Sequence, residues 1–213
     1  MNYRSRTAFL VLITLLCLTC AAGCTMPRFH DTHNTTVIIR SFNAWALSQG
    51  NFSHDIQETM SVIDGHLRVY NLEIAKDKPD YSLLRANLVQ DRQLLDIWGS
   101  RLDSLSESTG QFEQETGTLS YDNATSGQTH QALANLTQYM KIYTVNMRNA
   151  QQHLIEYVEN AEAYIGPDDP DYWDDTFRQK AILAKDNATT SLADSSGALE
   201  NLRSQALQLE SLQ

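Results

Sequence analysis

Asp91 stands where an apolar residue is expected. In the series Leu84, Leu88, Asp91, Leu95, Trp98, Leu102, Leu105 the steps alternate between four and three residues, the spacing that gathers side chains on one face of a helix. A carboxylate in such a seam must find a partner or shift its pKa. Asp91 is therefore a candidate for a polar ligand pocket inside the fold. The structural alternative is that the bundle frays here, or that an arginine such as Arg92 or one from another helix neutralises it and fixes helix register.

Other clusters carry less chemistry. A di-iron site needs Glu-x-x-His motifs on two helices, and none of the six histidines has Glu three residues before it. The stretch His153-Leu154-Ile155-Glu156 has the reverse order and points away from its seam. His30-Asp31-Thr32-His33 places two imidazoles near a carboxylate, but within a segment that reads as a solvated tether. The acidic run Asp168, Asp169, Asp171, Asp174, Asp175 offers oxygen ligands for Ca²⁺, yet lacks the calcium-loop pattern and suits the acidic first turn of a helix. No metal or cofactor is expected. Gly-x-Ser-x-Gly, His-Glu-x-x-His and phosphate-binding glycine loops are all missing, so the expectation is a protein that is not an enzyme.

The 213 residues carry 16 Lys+Arg against 26 Asp+Glu, a net charge of -10, with the basic residues scattered. That balance argues against a nucleic-acid partner, which requires a clustered positive field. The three cysteines, Cys17, Cys20 and Cys24, all lie at the start of the chain. There Arg4 and Arg6 precede an apolar run from Ala8 to Leu18, followed by Ala21-Ala22-Gly23-Cys24. A basic region, a short apolar core and small residues make a secretory signal. The run is short for a bilayer span.

The ending Ala21-Ala22-Gly23-Cys24 resembles the lipobox of secreted lipoproteins, departing from it at Ala21, where that pattern usually has Leu, Val or Ile. The resemblance implies cleavage before Cys24, lipidation of Cys24 and anchoring to the outer face of the cytoplasmic membrane. Plain cleavage and an uncleaved anchor are the alternatives. Cleavage would remove Arg4 and Arg6, leaving 14 basic and 26 acidic residues and a net charge of -12. No disulfide could then form within the exported chain, which must be held by packing alone.

Five tripeptides have the form of N-glycosylation acceptors, at Asn34, Asn51, Asn123, Asn135 and Asn187. By the helical phase Asn51 and Asn135 project outward, Asn187 lies nearer a seam, Asn123 falls in a loop and Asn34 in the tether. Lipobox, sequons and an acidic surface together resemble the surface lipoproteins of archaea.

These residues need elements to hold them, and the pattern is helical almost throughout. The first helix, 37–77, reads Ile38, Phe42, Trp45, Gln49, Phe52, Ile56, Met60, Ile63, Leu67, Tyr70, Ile74, with a break in phase near Gly50-Asn51 that permits one locally unwound helix or two shorter ones. The second, 80–117, starts at Asp80, a good N-cap. The third, 128–165, carries an unbroken series from Leu133 to Tyr164. The fourth, 171–212, has a thinner seam of Phe177, Ala181, Ala184, Ala188, Ser191, Ser195, Ala198 and Leu202, with Leu192 beside it. The turns at Pro79-Asp80-Tyr81 and Pro170-Asp171-Tyr172 share a tripeptide, hinting at a duplicated hairpin.

The sequence thus predicts an all-α, elongated, antiparallel four-helix bundle of up-down-up-down topology with coiled-coil-like packing. Residues 1–23 form the signal peptide, 24–36 the lipidated Cys and tether, and 37–213 the bundle. The expected role is a non-catalytic, membrane-anchored extracytoplasmic module for structure or protein interaction, its protein partner unknown or a second copy of itself. The alternative is a ligand-binding sensor or carrier with a pocket near Asp91.

Overall fold

A computed structural model describes residues 32–119 and 126–211. Four long helices make up almost all of it: α1 (Thr32–Glu73, 42 residues), α2 (Tyr81–Gly117, 37 residues), α3 (Ser126–Ile165, 40 residues) and α4 (Asp175–Ser211, 37 residues). A 3-10 turn, Pro170–Tyr172, precedes α4. At 1.5 Å per residue the helices are about 55 to 63 Å long. Successive helices pack side by side, giving an all-α four-helix bundle.

Cross-helix pairs record the antiparallel register. Between α1 and α2 they run Arg40 to Glu115, Asp55 to Arg101 and His66 to Asp91, one number rising as the other falls. Between α2 and α3 they run Asp103 to Arg148 and Arg92 to Glu159. Most of these are exposed ion pairs worth about 0 to 1 kcal/mol each, so they mark the register more than they stabilise it. Stabilisation comes from the seams, where residues such as Leu84, Leu95, Leu102 and Leu105 are fully enclosed, each contributing roughly 1.5 to 3 kcal/mol of transfer free energy.

Aromatic rings from three helices form a chain of contacts along the core. Phe112 meets Phe42 at 6.4 Å, Phe42 meets Trp45 at 6.3 Å, Trp45 meets Tyr143 at 6.3 Å, Tyr143 meets Phe52 at 6.5 Å and Phe52 meets Trp98 at 6.0 Å. Polar seam residues are drawn into this packing. Trp45 Nε1 donates to Thr109 Oγ1 at 3.0 Å, and Thr109 donates to the Leu105 carbonyl at 2.9 Å. Gln151 Nε2 reaches the Leu95 carbonyl at 2.7 Å. It passes over Gly99, where a Cβ would stand 2.5 Å from that nitrogen.

Several boundaries and phases differ from the sequence expectation. α1 is one helix through Gly50 and Asn51, and it begins at Thr32, so residues 32–36 belong to the bundle's first helix rather than to a tether. In α4 the buried line runs Ala184, Ala188, Leu192, Ser195, with Ser191 half-buried. Two adjacent candidates competed for one seam position, and the larger apolar side chain of Leu192 took it because it removes more area from water.

The two Pro-Asp-Tyr turns also part company. Before α2, Asp80 caps the helix by accepting from the Leu83 amide at 2.9 Å, and the buried Glu73 accepts from the Asp80 amide at 3.0 Å and pairs with Lys76. Before α4, Pro170–Tyr172 forms its own turn and the cap is Asp174, whose Oδ1 accepts from the Thr176 amide at 2.8 Å. α4 accordingly starts at Asp175 rather than at Asp171. Tyr81 is half-buried while Tyr172 is 74% exposed. The shared tripeptide thus fills unlike structural positions.

Candidate functional site

Asp91 is buried in the α2 seam with 1% of its surface exposed. Its Oδ1 lies 2.6 Å from His66 Nδ1, contributed by α1. An ionised carboxylate only accepts hydrogen bonds, so Nδ1 carries the proton and donates it. The imidazole keeps 18% of its side chain exposed against 2% for the carboxylate, placing the pair at the edge of the core with its acidic member innermost. Burial pushes the Asp91 carboxyl above its ordinary value, while the hydrogen bond and charge of His66 pull it down.

His66 therefore does what Arg92 was expected to do. Arg92 turns outward to Glu159 on α3 at 2.6 Å, and both are substantially exposed. The neighbouring α2 position simply points the wrong way for a seam partner. His66 escaped the sequence reading because it flanks the α1 seam beside Leu67, and only the hairpin register brings it level with Asp91. One signal was there: His66 and Asp91 lie almost equally far from Pro79 on either side.

Two phenols sit close by. Tyr157 on α3 is buried, and its hydroxyl is pushed well above the ordinary tyrosine value by burial, then by Tyr70 and Asp91. Tyr70 on α1 is raised as well, mainly by burial, and donates to the Ala161 carbonyl at 3.4 Å. Both stay neutral and act only as hydrogen-bonding groups.

Beside Tyr157 a narrow cleft opens between α1 and α4, with Met60, Ile63, Leu67 and Leu192 among its walls and Asp64 and Lys185 at its polar edge. Its volume of about 20 Å³ accommodates roughly one water molecule. Burial lowers the Lys185 ammonium below the usual lysine range, against the opposing pull of Asp64 and Asp186. A larger groove of about 300 Å³, lined by residues including Glu113, His130, Leu133 and Lys141, lies toward the opposite end of the bundle, some 33 Å from Asp91 along α2.

The remaining sequence candidates are spread over the molecule. Cys24, His30, Asp31 and Asn123 lie outside the described residues. His33 and Asn34 fall in the first turn of α1. Asn51 and Asn187 are exposed, while Asn135 is half-buried, its amide donating to Gln205 at 3.1 Å and accepting from Gln131 at 3.0 Å. The expected placements of Asn135 and Asn187 are thus exchanged. Asn187 turns outward because Leu192, not Ser191, continues the α4 seam, and Asn135 lies at the α3–α4 boundary, where Gln205 meets it.

His153 and Glu156 pair with one another at 3.0 Å on the outer side of α3. In the acidic run, Asp168 is gripped through both oxygens by Arg85 at 2.5 and 3.0 Å, Asp169 accepts from the Asp171 amide at 3.0 Å, and Asp174 caps α4. Asp168 takes a left-handed backbone with φ of 55°, a conformation that Asp tolerates better than most residues. Arg85 also donates to the Gly166 carbonyl at 3.3 Å, so this turn is tied to α2. Among the described residues no group of three or more His, Cys, Asp or Glu is placed to hold a metal ion, and no helix is long and apolar enough to cross a membrane.

No family model matches the chain, and comparison with curated proteins and with solved structures finds no similar protein.

Proposed function

We propose that this chain is a non-catalytic lipoprotein, exported and anchored by a lipid on Cys24 to the outer face of the cytoplasmic membrane, whose bundle serves as a structural or protein-interaction module. The leader, with Arg4, Arg6, the apolar run and Ala21-Ala22-Gly23-Cys24, supports export and anchoring. The observation that carries the role of the bundle is the closure of the acidic seam position Asp91 by His66. Asp91 is satisfied from within, which leaves the outer helix faces and end turns as contact surface. The net charge of -12 that cleavage before Cys24 would leave then keeps that surface solvated. Sugar on Asn51 and Asn187, whose side chains are exposed, is compatible with this reading in a host that glycosylates exported proteins.

The alternative, a ligand carrier with a pocket near Asp91, draws on the cleft beside Tyr157. A cleft that holds about one water requires α1 and α4 to part before a ligand enters. Replacement of the anchoring residue tests the anchoring part of the proposal. Cys24→Ser is expected to abolish incorporation of a labelled fatty acid or lipid into the chain, and incorporation that persists in the variant would contradict lipid anchoring through Cys24.

A further inference from the structure

We propose that His66 and Asp91 form a proton-operated latch between α1 and α2, taking up one proton on mild acidification and tightening the hairpin when they do. The geometry has three parts. The carboxylate is 1% exposed and its bond to Nδ1 is 2.6 Å. The imidazole, with its second nitrogen unused by that bond, remains 18% exposed and gives solvent protons access. The bond joins two different helices, so its strength bears on how firmly they are held together.

With the ring neutral and the carboxyl ionised, the pair buries a net negative charge. One proton from solvent makes the pair neutral overall, either as an imidazolium bonded to a carboxylate or as a carboxylic acid bonded to an imidazole. Neither form leaves a net charge in the low-dielectric interior. No bond other than the one to the incoming proton forms or breaks.

The charged groups around the pair are engaged with other partners. From α1 the neutral phenol of Tyr70 lies near, and Asp64 is engaged by Arg68 at 2.5 Å. From α2, Arg92 is held away by Glu159. From α3, Tyr157 is neutral. From α4, Lys185 stands at the cleft on the far side of Tyr157, where Asp64 and Asp186 act on it. Burial holds the Asp91 carboxyl above its ordinary value of 3.8. A carboxyl raised by folding binds its proton more tightly folded than unfolded, so its contribution to stability grows as pH falls through the folded value.

Thermal unfolding of the purified full chain against pH tests the latch. The wild type is expected to gain about 3 °C in midpoint as pH falls from neutrality through the raised range of the Asp91 carboxyl. Asp91→Asn, which keeps the size and a hydrogen-bonding oxygen but cannot ionise, is expected to lose that gain. The other histidines, such as His54 and His153, are the same in both proteins and cancel in the comparison. His66→Gln is expected to fold less well near neutrality and to recover on acidification, because Asp91 loses its compensating partner. A wild-type pH slope that Asp91→Asn retains would overturn the proposal, whether or not His66→Gln folds.

Discussion

The closeness of His66 to Asp91 makes the two residues thermodynamically inseparable. Removing His66 leaves an uncompensated buried carboxylate, so His66→Leu is expected to cost about 3 kcal/mol at neutral pH. Replacing both residues by Leu removes the charge along with its partner, and the double variant should recover most of that loss. A double-mutant cycle read by chemical denaturation measures the coupling. Carboxylates at the turns behave oppositely to Asp91. Glu73, bonded by Lys76 and the Asp80 amide, and Glu115, bonded by Ser41 and Arg40, are both held below the ordinary glutamate value. Their contribution is present at and above that ordinary value and is lost as pH falls through the lowered one. Acid titration followed by circular dichroism is therefore expected to show unfolding only below the ordinary glutamate range. The oddity of Asp91 was legible from one helix. Its partner was not, because an i-to-j contact across a hairpin depends on the register set by the turn.

At the scale of elements, glycines separate helix propensity from packing. Gly110 of α2 is exposed with nothing near its missing Cβ, so Gly110→Ala should stabilise by about 0.5 to 1 kcal/mol. Gly99, in the same helix, lies under Gln151. Gly99→Ala would displace that amide from the Leu95 carbonyl, and a buried donor left unpaired costs about 1 to 3 kcal/mol, outweighing the propensity gain. Opposite shifts in thermal midpoint for the two variants are expected. Asp80→Ala removes the α2 cap and should cost about 1 kcal/mol. The alternating three-four spacing made each helix legible, and the long series of α3 was read most easily because large apolar residues mark it. α4 was read less well. Its seam of Ala181, Ala184 and Ala188 gives weak contrast, so the phase passed to Ser191 on paper and to Leu192 in the fold, with Asn187 turned outward as a result.

For the whole molecule, the bundle has no disulfide to rely on and is held by its core. Trp98 is 1% exposed and packs edge-on to Phe52 at 6.0 Å, so Trp98→Ala is expected to cost about 3 to 5 kcal/mol. That loss should appear as one cooperative transition if the chain of aromatic contacts joins the helices into a single unit. Antiparallel packing puts the start of α1 and the end of α4 at one end, opposite the Tyr81, Trp173 and Tyr164 cluster. A lipid on Cys24 would then hold a rod about 55 to 63 Å long by that end and present the α1–α2 and α3–α4 turns at the other. The central claim is that this rod is an anchored lipoprotein. Intact mass spectrometry of the protein extracted from its native membrane tests it most directly: the account predicts a chain beginning at Cys24 with the added mass of a lipid, and a membrane-extracted chain that begins at Met1 or has an unmodified Cys24 would contradict it.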